Sequence, residues 1–254
     1  MRHRARQCGL SLVELLAGIV VGLLVVLAAF GSLLPSRSAS AGVAELSQLQ
    51  HQGAYALHVM GLQLRQAGAV DASRDEASGF FRFDAEALAQ AAAGAAVSGT
   101  DGAAPSMDSV TVGFAPAAGG DGSASTPSAQ RHYDCTGMRV DGQKRLIARF
   151  EVNPQGQLTC SGLSRKQPLV GQVADFRVSY LVDTAHGMQY MNAGAIVRDN
   201  LWGAIRAIEV CLDLYGKELI AGADGAYQGC DEAEPARDNR VHLVLRNSFA
   251  LRAR

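Results

Sequence analysis

An apolar run extends from Leu10 to Leu34 and contains a single charged side chain, Glu14. No other feature limits the possible folds as strongly. A membrane-spanning helix needs about 20 apolar residues, and this run can supply them. A charge inside such a helix is disfavoured by about 2.5–3.5 kcal/mol on insertion scales, so an intramembrane acid marks a function and calls for a partner. The chain can provide one if it is cut after Gly9. The cut would create a positive α-amino group on Leu10, about one helical turn from Glu14, or roughly 6 Å along the axis at 1.5 Å per residue. Amine and carboxylate would then pair between neighbouring subunits packed side by side in staggered register. Two plainer readings fit less well. A secretory signal peptide, with Ala39-Ser40-Ala41 as its cleavage site, has an apolar core of only about 7–15 residues. A simple single-pass anchor matches the length and leaves Glu14 unexplained.

Arg2, Arg4 and Arg6 precede the run. By the positive-inside rule they predict a cytoplasmic N-terminus, with everything after Leu34 on the periplasmic or outer side. The formal net charge is −1, so no global basic field points to nucleic acid. Removing the three leader arginines leaves 20 basic against 24 acidic side chains, a net charge of about −4. The basic residues that remain are scattered rather than gathered in the stripe that DNA binding uses. The five cysteines are Cys8, Cys135, Cys160, Cys211 and Cys230. An odd count is awkward in an exported chain, and cleavage after Gly9 discards Cys8. Three pairings of the other four are open. Cys135–Cys160 and Cys211–Cys230 are favoured because each pair brackets a short, turn-rich segment; loops of that size contribute about 3 kcal/mol each in the chain-entropy model. Four reduced thiols fit an oxidising compartment poorly, and no close Cys or His ligand pair suggests zinc.

Leu10 to about Ala69 reads as one long helix in two halves. The first is apolar all round. Pro35 removes a backbone donor and predicts a kink near Leu34–Ser36. The second half is amphipathic: Val43, Leu46, Leu57, Met60, Leu64 and Ala67 form a stripe at helical spacing, with Gln48, Gln50, Gln52, Gln63 and Gln66 on other faces. Residues 85–104 and 117–129 are rich in Ala, Gly and Ser and read as mobile surface connections, with a strand between them at Ser109–Phe114. From Arg131 onward the pattern is β. Leu146–Val152 and Gln157–Cys160 flank a turn at Asn153-Pro154-Gln155-Gly156. Runs centred on Phe176–Val182, Ile208–Leu214 and Val241–Leu245 alternate with period two. They predict a half-buried antiparallel sheet whose apolar face covers the helix stripe. Cys211 falls on the other face, within reach of Cys230 in the following loop.

The leader arginines, Gly9, the apolar residue Leu10, Ser11 and Glu14 together resemble the processing signal of type IV prepilins and pseudopilins. The resemblance implies cleavage between Gly9 and Leu10 by a prepilin peptidase, and N-methylation of Leu10 by the same enzyme. It implies Glu14 as the subunit-assembly residue, with Leu10 standing where Phe is commoner. The second half is similar to PilW-type minor pilins. The residues that carry this are Asp134-Cys135-Thr136-Gly137, Gly156-Gln157-Leu158-Thr159-Cys160, Pro168-Leu169-Val170 and Phe176-Arg177-Val178-Ser179-Tyr180, followed by Asp183, Trp202 and Leu245-Arg246-Asn247. The family implies a pilin-like α+β fold, a long N-terminal helix packed on a C-terminal antiparallel β-sheet. The domains are then a leader at 1–9, a transmembrane and filament-core helix at 10–34, an amphipathic helix at 35–70, a connection with a strand at 71–130, and a periplasmic disulfide-bonded β-domain at 131–254. Implied partners are the prepilin peptidase, other minor and major pilins, the assembly platform protein and ATPase, and the inner membrane. After assembly the protein would stand in a pilus at the cell surface.

No spacing supports an active site or a cofactor. Ser164 lacks the second glycine of a nucleophile elbow. Gly119-Gly120-Asp121-Gly122 lacks the Lys and Ser/Thr ending of a phosphate loop. His132, His186 and His242 have no oriented partner that the sequence can name. Asp224, Asp231, Glu232 and Glu234 surround Cys230, but without the spacing of a calcium loop, so no metal is expected. The function that the resemblance implies is structural, a minor pilin of a type IV pilus. The alternatives are a type II secretion pseudopilin and a membrane-anchored periplasmic binding module.

Overall fold

The computed structural model describes residues 11–67, 96–103, 106–114, 132–140, 146–220, 224–231 and 234–251, leaving aside the side chains of 32–39 and 41 within the helix and of several strand-end residues. The leader, Gly9, Leu10 and most of the 71–130 connection lie outside the described residues. The chain divides into two compact units, Met1–Glu45 and Leu46–Arg254.

Helix α1 spans Leu12–Leu64. Ser11 starts it: the Glu14 amide meets the Ser11 carbonyl at 3.1 Å and the Ser11 hydroxyl at 3.4 Å, the geometry of an N-cap. The helix continues through Pro35, a residue that costs one amide donor of the ladder and predicts a kink rather than a stop. The last turn tightens at Gln66 and Ala67, whose amides bond three residues back, a usual way to satisfy terminal carbonyls.

In the first unit, Leu12–Gly31 is long and apolar enough to cross a membrane, and none of it is buried. In the second unit, α1 buries Leu49, Ala56, Met60 and Leu64, and the turn that follows it buries Ala67, a spacing that keeps one helical face inward. Two glycines on that face were not anticipated. A Cβ on Gly53 would collide with Leu245, and one on Gly61 would sit 2.6 Å from the Phe249 ring. Two expectations for the stripe fail. Val43 is exposed, whereas Gln63, assigned to a polar face, is 4% exposed. The Gln63 amide nitrogen reaches the Tyr133 carbonyl at 3.3 Å, which offsets part of the cost of burying it.

The three alternating runs form one antiparallel sheet, as expected, and the described residues hold two further antiparallel sheets. The first contains β1 (Val97–Thr100), β2 (Ser109–Phe114), β5 (Leu146–Val152), β6 (Leu158–Ser161) and β7 (Lys166–Val170) in that order. The second contains β8 (Val173–Thr184), β9 (Gly187–Met191), β10 (Ile205–Tyr215) and β11 (His242–Ala250), in the order β11-β10-β8-β9. A short pair joins β3 (His132–Tyr133) to β4 (Arg139–Val140). The three alternating runs read from sequence are therefore the neighbours β8, β10 and β11, and helix α2 (Ala193–Asp199) interrupts the β pattern. Strand β1 corrects the surface connection expected for 85–104. Its Val97, Ser98 and Gly99 are buried, because small residues here serve close packing. A Cβ on Gly99 would strike the Tyr180 hydroxyl and approach the Ser109 carbonyl at 2.7 Å.

One buried core joins both larger sheets to α1. Val110, Phe150 and Leu158 enter it from the first sheet, and Phe176, Tyr180, Ile208 and Leu212 from the second. Asp108, just before β2, ties the sheets together. Its carboxylate accepts from the Val178 amide at 2.8 Å and from Gly102 at 2.9 Å, and lies 3.4 Å from the Arg177 guanidinium. Burial raises its pKa above the ordinary carboxylate range, against the opposing pull of these donors.

Candidate functional site

Two regions hold the chemistry: the start of α1, and the outward face of β10 with the connection that covers it. At the start of α1, Glu14 lies in the first turn and is exposed. Its carboxylate has no partner among the described residues. Ser11 and Glu14 have the S-x-x-E spacing of a capping box, a local signal that is also part of the family motif they resemble. An acid in the first turn is also favoured by the helix dipole. Leu15, Leu16, Ile19, Val20 and Leu23 follow it, all more than half exposed, which is the condition of a helix whose neighbours are lipid or other helices.

On β10, the inward residues Val210, Leu212 and Leu214 are fully buried. The outward residues Cys211 and Asp213 are also covered, at 4% and 1% exposure. The cover is the connection between β10 and β11, described at 216–220, 224–231 and 234–241. Cys211 is joined to Cys230 of this connection, with their Cα atoms 5.6 Å apart. Asp213 is held from two sides. One carboxylate oxygen accepts the Tyr227 hydroxyl, and the other lies 3.2 Å from Nδ1 of His242. The Tyr227 ring stacks on the His242 ring at 4.3 Å, with Arg237 over it at 5.5 Å. Burial and the Asp213 bond raise the Tyr227 pKa far above the ordinary phenol range, keeping the hydroxyl a donor. Arg246, directly across from Cys211 on β11, donates to the carbonyls of Gly229 at 2.7 Å and Cys230 at 2.9 Å. His242, read as a histidine without an oriented partner, therefore has one. No local pattern carries this, since Asp213, Tyr227 and His242 meet only when β10 and β11 pair and the connection folds back.

The other cysteines join as Cys135–Cys160, with Cα atoms 6.2 Å apart. Asp134 shapes the turn beside this bond. Its carboxylate accepts from the Thr136 and Met138 amides, both at 2.9 Å, and from the Leu163 amide at 3.3 Å. Gly162 packs so closely on that carboxylate that a Cβ there would overlap it. Trp202 meets Tyr180 edge to face at 5.4 Å, and Asp183 pairs with Arg206 at 3.0 Å. No group of three or more His, Cys, Asp or Glu side chains among the described residues could hold a metal ion.

No family model matches the chain, and no curated protein matches it. Among solved structures it is similar to a type IV-like pilin from Thermus thermophilus, with a TM-score of 0.48 and 16% identity over 80% of this chain and 95% of that one. A likeness at that level carries no functional argument.

Proposed function

We propose that the protein is a minor pilin of a type IV pilus, PilW-like, a structural subunit that joins or initiates the filament after processing between Gly9 and Leu10. The observation that carries this reading is Glu14: a single carboxylate at the start of an exposed apolar helix, without a partner among the described residues, four positions after the residue that processing would make the N-terminus. Insertion holds the subunit in the inner membrane. Glu14 then engages the Leu10 amine of a neighbour in surroundings of low dielectric, where a neutralised pair costs far less than either charge alone. The apolar helices would pack into the filament core with the disulfide-bonded domain outside. The prepilin peptidase, other pilins, the platform protein and the ATPase are the partners this requires. No catalytic step belongs to the chain itself.

The mature N-terminus tests the reading. Mass spectrometry of the native protein should give a chain that begins at N-methylated Leu10 and lacks Cys8. An unprocessed N-terminus would overturn the pilin assignment and favour an anchored binding module, and one created near Ala41 would overturn it in favour of an exported domain released from the apolar helix. Glu14→Ala should leave processing intact and remove the protein from sheared filaments.

A further inference from the structure

The connection between β10 and β11 is held by one covalent bond and a set of polar pins, and all of them fall within a few residues. Cys211 and Asp213 stand two apart on the same face of β10, and Tyr227 and Cys230 lie three apart on the connection. The Tyr227–Asp213 bond and the Cys211–Cys230 bond are thus adjacent rungs between the same two segments. Arg246 fixes the carbonyls of Gly229 and Cys230 from β11. The connection is also folded on itself without the cysteines: Ala226 bridges Ala236, the Tyr227 amide bonds the Pro235 carbonyl at 3.1 Å, and the Arg237 amide bonds the Gly225 carbonyl at 2.9 Å. Asp213 is the centre of the arrangement. A carboxylate at 1% exposure is costly unless each oxygen is satisfied, and here one partner comes from the neighbouring strand and the other from the connection.

We propose that Asp213, with His242 and Tyr227, is a polar latch that docks the connection before oxidation and delivers Cys230 to Cys211, so that this pairing is selected over those with the remaining thiols. His242 and Asp213 come together when β10 pairs with β11, which places Tyr215 opposite His242. The preformed pair presents an acceptor that only a donor at the position of Tyr227 can fill. Seating Tyr227 raises the effective concentration of Cys230 at Cys211, as any intramolecular tether does. Closure then follows ordinary thiol–disulfide exchange. One cysteine thiolate attacks a small-molecule disulfide such as oxidised glutathione, forming a mixed disulfide and expelling one thiolate. The second cysteine thiolate attacks that mixed disulfide and expels the other. Two protein thiols lose two electrons, which reduce the small disulfide to two thiols. Asp213, His242 and Tyr227 are positioning residues; none touches the reacting sulfurs in this scheme.

The full chain, reduced in detergent and exposed to oxidised glutathione, can be quenched with an alkylating reagent at intervals and its pairings mapped by mass spectrometry. Tyr227→Phe keeps the ring and removes the hydroxyl, and Asp213→Asn keeps the shape and removes the charge. In both, closure of Cys211–Cys230 should slow at least fivefold, with glutathione adducts and pairings to Cys135 or Cys160 accumulating. Cys135–Cys160 should close at the wild-type rate, which shows that the rest of the domain folds. Wild-type closure of Cys211–Cys230 in both variants would overturn the proposal. A second measurement avoids any dependence on those variants folding. In the Cys211→Ser/Cys230→Ser double variant, hydrogen exchange across residues 226–230 should stay within about tenfold of the disulfide-bonded protein. Exchange at the rate of an unfolded segment would show that the disulfide holds the latch rather than the reverse, and would equally overturn it.

Discussion

Asp108 and Glu151 show how two carboxylates in one domain can respond oppositely to pH. Asp108 is buried, with its side chain 8% exposed, and its pKa is raised because burial outweighs its donors. The folded state therefore holds its proton more tightly than the unfolded chain, and this carboxylate's contribution to stability is full below the ordinary Asp range and falls as pH rises through it. Asp108→Asn removes that dependence. It also places an amide opposite the Val178 and Gly102 amides, and it should cost about 1–3 kcal/mol at neutral pH, the usual penalty for buried donors that lose their acceptor. Denaturant titrations from pH 3 to 7 would show the wild-type advantage widening towards acid. At Glu151 burial also pulls upward, but the Lys166 bond at 2.6 Å and the Arg149 charge outweigh it and lower the pKa. That contribution is present above the ordinary Glu range and is lost as pH falls. At this more exposed pair it amounts to about 0–1 kcal/mol. Neither residue was singled out from sequence, because their partners Val178 and Lys166 are 70 and 15 positions away.

At the scale of elements, glycines separate two kinds of close approach. Gly53 in α1 would direct a Cβ at the end of the Leu245 side chain, which can rotate away. Gly53→Ala gains up to about 1 kcal/mol of helix propensity, offsetting the repacking, so its net effect on stability should be under about 1 kcal/mol. Gly99 in β1 faces the Ser109 carbonyl and the fully buried Tyr180, neither of which can yield. Gly99→Ala should therefore cost about 1–3 kcal/mol, the range for overpacking. Thermal melts of the two variants side by side would check the contrast, and an equal loss in both would refute it. The same contrast explains why β1 was misread as a surface connection. An Ala- and Gly-rich composition looks alike in a mobile linker and in a strand pressed against an aromatic residue 81 positions later, as Gly99 is against Tyr180. Strands β8, β10 and β11 were legible because period-two alternation is written locally, and so was the turn at Asn153–Gly156, where Gly156 adopts φ +67°.

At the scale of the whole molecule, the buried core of the second unit, among the described residues, begins at Leu49, and none of Leu12–Gly31 in the first unit is buried. A chain beginning at Leu46 should fold without detergent and melt in one cooperative transition. Removing the Cys135–Cys160 bond from it by serine substitution should lower its stability by about 2–5 kcal/mol, the usual cost for a small exported domain. Calorimetry on both forms would measure this, and aggregation of the Leu46 chain would show that the first unit is needed for folding.

The apolar length of Leu10–Leu34, the isolation of Glu14 within it, the α+β order of elements and the alternation of three strands were determined by the sequence alone. Each is a periodicity or a composition over neighbouring residues, and water and lipid impose such patterns directly. The division into separate sheets, the burial of β1 and Gln63, and the meeting of Asp213 with Tyr227 and His242 were decided only by the tertiary structure. Those depend on which distant segments pair and how closely their backbones approach, and no local pattern carries that information.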